Sequence, residues 1–118
     1  MKVRVIPTEV HGALDYLASA ANLAFPRLLG LGDEPSAVLV ARIDGLAGAG
    51  YGLLTDYRLG ALRILPMPLH LALDAAKGIF MAASPWLFGF AGRGTRYWLV
   101  HLLMGTADVV AEMTTRTR

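Results

Sequence analysis

Apolar residues dominate four stretches of the chain, and short polar turns separate them. The stretches run over about 8–25, 37–54, 67–84 and 96–113. Each approaches the roughly 20 residues with which a helix crosses about 30 Å of hydrocarbon. Pro7 stands just ahead of the first, where its missing N–H costs a helix nothing. The turn GDEPS leads into the second and AGRGT into the fourth. Ile79 to Phe90 is apolar nearly all round, and Trp98 to Met104 is interrupted only by His101. A helix apolar on every side is buried or faces lipid. The pattern predicts an all-α, membrane-embedded four-helix bundle. A water-soluble four-helix bundle is the alternative. Against it stands GLAGAGYG, in which Gly48 and Gly52 form a GxxxG. That spacing lets membrane helices approach closely, whereas each glycine costs a soluble helix roughly 1 kcal/mol.

The four stretches are two copies of one unit. Shifted by 59 residues, RVIPTEVHGALD (Arg4 to Asp15) falls on RILPMPLHLALD (Arg63 to Asp74). His11 meets His70, Asp15 meets Asp74, Pro26 meets Pro85 and Gly30 meets Gly89. Later positions match weakly: Arg42 falls on His101, and Gly45 reaches Gly105 only after a one-residue gap. Repeat one is taken as 4–62 and repeat two as 63–118, together one membrane domain of two tandem helical hairpins.

Composition narrows the function classes. The chain is 55% hydrophobic and 17% charged, against about 25% charged in ordinary soluble domains. It has no cysteine, so disulfides, thiolate metal sites and thiol nucleophiles are excluded. A net charge of +2 without a basic, aromatic-interleaved stripe gives no reason to expect nucleic acid as a partner. The N-terminus lacks a long apolar run and a small-residue cleavage site, so no cleavable leader is expected. Four spans put both termini and the 55–66 loop on one side, with Lys2, Arg4, Arg58, Arg63, Arg116 and Arg118. Arg27, Arg93 and Arg96 lie on the other side with Asp33 and Glu34. The excess of basic residues assigns the first side to the cytoplasm.

ASPWLFGFAG (Ala83 to Gly92), with PMPLHLALD and TDYRLGALR upstream, resembles the SPW-repeat family of small bacterial and archaeal membrane proteins. The likeness extends from about Val10 to Glu112. It implies a multi-pass protein of the inner (cytoplasmic) membrane and brings no established activity. Copy one departs from the motif, reading Phe25-Pro26-Arg27. Physically, Pro85 disfavours helical geometry at Ser84 and is expected to end or kink the helix there. Trp86 then suits the membrane interface. Ser84 is read as a helix-end residue, because a nucleophile needs an adjacent base and His70 and His101 are distant in sequence.

The remaining question is why apolar helices carry ionisable groups. His11 and Asp15, like His70 and Asp74, are four apart and share a helical face. Lys77 follows Asp74 on the same side, where copy one has Ala18. One reading is a polar latch: each histidine bonds its own aspartate, the pairs meet across the pseudo-twofold axis, and Asp74 neutralises Lys77. Competing readings are a divalent metal on His11, Asp15, His70 and Asp74, a haem iron clamped between His11 and His70, and an ion route through the same four residues. A second polar stripe holds His101, Asp108 and Glu112 on the fourth helix. It is expected to face Asp44, Gly48, Tyr51 and Thr55 on the second, with Arg42 pointing outward. No phosphate loop, HExxH or GxSxG is present, so the chain is read as no enzyme and no cofactor is called for by motif. The resulting expectation is a structural or interaction subunit of the membrane. Its partners are lipid and either further copies or a larger membrane complex. A minimal oligomeric channel or ion-coupled carrier, and a metal- or haem-binding membrane protein, are the alternatives.

Overall fold

The computed structural model describes residues 4–117, so Lys2 and Arg118 of the charge argument lie outside the described residues. Helix α1 spans Thr8–Leu28, α2 Pro35–Leu53, α3 Met67–Leu87 and α4 Thr95–Thr114, and a 3-10 turn, Phe90–Arg93, precedes α4. No strand forms among the described residues. Helices α1 and α2 pack as one hairpin and α3 and α4 as the other, with α2 and α3 joining them.

Pro7 and Pro66 take extended backbone just ahead of α1 and α3 and start each helix in the same way. The first and third stretches were expected to end at about 25 and 84, with Pro85 ending or kinking the helix, yet α1 runs past Pro26 to Leu28 and α3 past Pro85 to Leu87. A proline frees the carbonyl four residues earlier. For Pro85 that carbonyl belongs to Met81, and the buried Ser84 hydroxyl donates to it at 2.7 Å. The serine replaces the missing amide, so the last turn survives. Helix α1 stops where Gly30 turns left-handed (φ 70°). Gly30 N–H bonds Arg27 O and Leu31 N–H bonds Pro26 O, and this closes a Schellman motif over the fully buried Leu31.

Small residues set the helix spacing. A Cβ on Gly45 would lie 2.8 Å from the Ser19 carbonyl. One repeat on, a Cβ on Gly78 would lie 2.7 Å from the Gly105 carbonyl, and one on Gly105 would collide with the Gly78 carbonyl. Gly48 and Gly52, expected at a helix contact, face Ser19 with Lys77, and Tyr16, respectively. The tighter approaches are at Gly45 and at Gly78/Gly105.

The interior is layered along the axis. Phe25, Leu31, Val40, Met81, Phe90 and Tyr97 form an apolar layer at the end of the 29–34 and 88–94 turns. At that end Arg93 donates to Asp33 Oδ2 (2.7 Å) and Glu34 Oε2 (3.0 Å), and Tyr97 OH donates to Asp33 Oδ1 (3.0 Å). The Tyr97 hydroxyl, then the Arg93 cation, hold the Asp33 carboxyl below its ordinary pKa. A smaller apolar group, Tyr57, Met67 and Leu71, sits at the opposite end. Between the two lie buried polar side chains, while Leu17 (68%), Leu28 (80%) and Leu46 (63%) are exposed. Among the described residues no helix is long and apolar enough to cross a membrane. Hydropathy alone therefore does not carry the four spans expected from the sequence, because each helix commits polar residues to the inside.

Candidate functional site

The start of α1 and the start of α3 bring His11, Asp15, His70 and Asp74 to one point. The bundle axis relates the two helices, so equal positions in the repeat meet at equal depth. His11 Nε2 lies 2.7 Å from Asp74 Oδ2 and 3.0 Å from Asp15 Oδ2. His70 Nε2 lies 2.8 Å from Asp15 Oδ2 and 3.2 Å from Asp74 Oδ2. Four atoms thus form a ring in which nitrogen and oxygen alternate. The well-aligned hydrogen bonds cross between repeats, His11 to Asp74 and His70 to Asp15. This corrects the local half of the latch, in which each histidine bonds its own aspartate. The four-residue spacing brings those partners into contact, but the crossed partners lie along the ring N–H directions. His11, His70 and Asp74 are buried, and the Asp15 side chain is 10% exposed.

The far side of each imidazole is held in the same way. His11 Nδ1 is 2.6 Å from Thr115 Oγ1, and His70 Nδ1 is 2.7 Å from Thr55 Oγ1. Each threonine hydroxyl also bonds the carbonyl four residues earlier, Ala111 and Tyr51. Two parallel backbone bridges, Ile6 to Thr115 and Thr55 to Leu65, fix these threonines at the helix ends. Tyr51 OH donates to the other oxygen of Asp74. Thr55 and Tyr51 belonged to the polar stripe read on α2. Thr115 was missed, although it follows from Thr55 by the repeat with its one-residue gap.

Lys77 does not join this ring. Its Nζ donates to Asp44 Oδ1 at 2.9 Å and to Asp108 Oδ2 at 2.6 Å. The expectation that Asp74 neutralises it is therefore wrong: a lysine one turn deeper reaches α2 and α4, which carry the nearer carboxylates. Asn22 adds a bond to Asp44 Oδ1 (2.8 Å). Ser19 and Asn22, not singled out in the sequence, are buried on α1. Their signal was their register, one and two turns beyond Asp15. The second stripe divides. Asp44 and Asp108 meet through Lys77. His101 Nε2 donates to the Ala37 carbonyl (3.0 Å) between Phe25 and Phe90. Glu112 is half-buried, and its backbone carbonyl accepts from Arg4 (3.1 Å). Arg42 is exposed, as expected.

The geometry decides against the haem clamp. The His11 and His70 rings meet edge to face with centroids 5.4 Å apart. Carboxylate oxygens occupy the space between their Nε2 atoms, which leaves no slot for a porphyrin. The same four residues do place one donor atom each within 4.8 Å of all the others, as a metal site requires. Ser84 and Pro85 are buried, and Trp86 is exposed beside Trp98 with ring centroids 6.0 Å apart.

A family model described as SPW repeat domain matches residues 9–115, and the chain belongs to that family. No curated protein and no solved structure matches it.

Proposed function

We propose that this SPW-repeat protein is a multi-pass protein of the bacterial inner membrane, with both termini cytoplasmic, that serves as a structural or interaction subunit. One observation carries the reading: polarity is inverted relative to a water-soluble bundle. His11, His70, Asp74, Asp44 and Asp108 are buried, whereas Leu17, Leu28, Leu46, Ile79 and Leu87 are exposed on the helix surfaces. In lipid the outer leucines cost nothing, and intramembrane ionisable residues face the interior and pair with one another. Helix lengths of 19–21 residues suit the hydrocarbon thickness. The exposed Trp86, beside the half-buried Trp98, suits an interface. Lipid is the first partner, and the exposed apolar faces are the surface on which further copies or a larger membrane complex would pack.

The test is membrane fractionation with an alkaline wash, followed by accessibility of single cysteines placed at Asp33 and Asp56. The expected result is retention in the membrane and labelling from opposite sides. Release of folded protein by the wash, or labelling of both sites from one side, refutes the reading.

A channel or carrier reading draws on the Lys77–Asp44–Asp108 group, which lies deeper along the axis than the His/Asp ring. The apolar layer of Phe25, Met81 and Phe90 interrupts that line, so such a path would have to run between copies.

A further inference from the structure

We propose that His11, Asp15, His70 and Asp74 form a binding site for one divalent first-row transition-metal ion, of the class of zinc or ferrous iron. Nothing in this inference depends on the membrane reading, because donor geometry alone carries it.

The threonines fix the protonation pattern of the rings. Each Thr hydroxyl has a single hydrogen, and each contacts a backbone carbonyl at 2.6 or 2.7 Å. A carbonyl can only accept, so the hydrogen points there. The hydroxyl oxygen must then accept from the imidazole, which puts a proton on Nδ1 of both His11 and His70. Neutral rings in that tautomer aim bare Nε2 lone pairs at carboxylate oxygens 2.7–3.2 Å away. Lone pair against lone pair is repulsive, so positive charge belongs at the centre of the ring. Either two protons supply it, one on each Nε2, or one divalent ion does. Both choices give the buried group the same net charge of zero with its two carboxylates. Binding one ion therefore displaces two protons and adds no charge to the interior.

The arrangement also has the outer support found around metal-bound histidines, whose second nitrogen donates to a fixed oxygen and so sets the ring's orientation. Here Thr55 and Thr115 do this for the two rings, and Tyr51 holds the second oxygen of Asp74. Imidazole with carboxylate suits zinc, iron and manganese. An ion about 2.1 Å from each atom needs neighbouring donors roughly 3.4 Å apart in a tetrahedron. The ring edges of 2.7–3.2 Å fall slightly short of that, so the ring opens a little to take the ion. The partly exposed Asp15 carboxylate gives the route in.

The experiment uses the full chain, purified in detergent, stripped with chelator and titrated with Co(II) as a spectroscopic probe and with Zn(II). The expected result is one ion per chain, intense tetrahedral Co(II) bands bleached by Zn(II), and two protons released per ion by calorimetry in buffers of different ionisation heat. His70→Ala abolishes the bands. Thr55→Val and Thr115→Val keep the ligands and weaken binding by about 10–100-fold, whereas Glu9→Gln leaves it unchanged. Where His70→Ala fails to fold, the threonine variants and the 15N shifts of the histidine rings decide, since Nε2 moves on Zn(II) addition while Nδ1 stays protonated. Failure to bind Co(II) or Zn(II) in stoichiometric amount overturns the site. So does binding that survives in folded His70→Ala, or an Nε2 proton that persists at saturating Zn(II).

Discussion

Gly105→Ala is a small change with a large expected effect. The added methyl would meet the Gly78 carbonyl, the Ala82 amide nitrogen at 2.5 Å and the Ala82 Cβ at 2.8 Å. All three belong to α3, and two are backbone, so no side chain can swing aside. Overpacking of this kind costs about 3 kcal/mol at the upper end of the usual range. Replacing a mid-helix glycine by alanine returns about 1 kcal/mol of helix propensity. The net expectation is destabilisation by about 2 kcal/mol. Gly50 supplies the control, because it lies inside α2 and a Cβ there meets nothing within 4 Å. Gly50→Ala is expected to stabilise by up to about 1 kcal/mol. The two variants share a chemistry and should diverge in sign. Denaturation of both in the same detergent measures this. A Gly105→Ala midpoint equal to or above the parent's would show that α3 and α4 do not approach as closely as described, and the packing argument would fall.

Lys77→Met leaves Asp44 and Asp108 facing each other without a cation. The expected loss is about 3–5 kcal/mol, and adding Asp44→Asn and Asp108→Asn together should restore part of it; strict additivity in thermal unfolding would sever the three residues. Ser84→Ala removes the hydroxyl that serves the Met81 carbonyl beside Pro85. It should cost about 1–3 kcal/mol and fray the last turn of α3, and a variant with parental stability and helicity would show that the carbonyl needs no such partner.

The helices were legible because apolar runs and prolines mark them, and the repeat was legible because it preserves His, Asp, Pro and Gly at fixed offsets. The ends were less so. Pro85 looked like the end of a helix or a kink in it, and only the structure shows a serine hydroxyl standing in for the amide that Pro85 lacks. The composition of the His/Asp ring could be read from HxxxD occurring twice. Its crossed bonding could not, since i, i+4 spacing favours the local partner on paper and the decision rests on where two helices approach. Lys77 shows the same limit: sequence places it next to Asp74, whereas its length and depth take it to α2 and α4. Thr115 lay beyond a one-residue gap that blurred the register. The inward turning of the polar groups also explains why averaged hydropathy is modest for helices whose outer surfaces are rich in leucine, since the average includes carboxylates that those surfaces do not carry.

The ring draws one histidine and one aspartate from each repeat, together with one threonine. A single hairpin therefore owns half a site, and two identical hairpins would complete it only by pairing about a twofold axis. Identity, however, forces every interior position to appear twice. A lysine at both 18 and 77 would put two ammonium groups near the middle of the bundle, and a tyrosine at both 51 and 111 would crowd both aspartates. Joining the copies in one chain lifts that constraint. Ala18 can stay small while Lys77 gathers Asp44 and Asp108, and Ala111 can stay small while Tyr51 reaches Asp74. Covalent fusion thus lets a symmetric ring sit within an asymmetric frame, so that the two aspartates, equivalent in the repeat, differ in what holds them: Tyr51 bonds Asp74, whereas Asp15 keeps partial exposure.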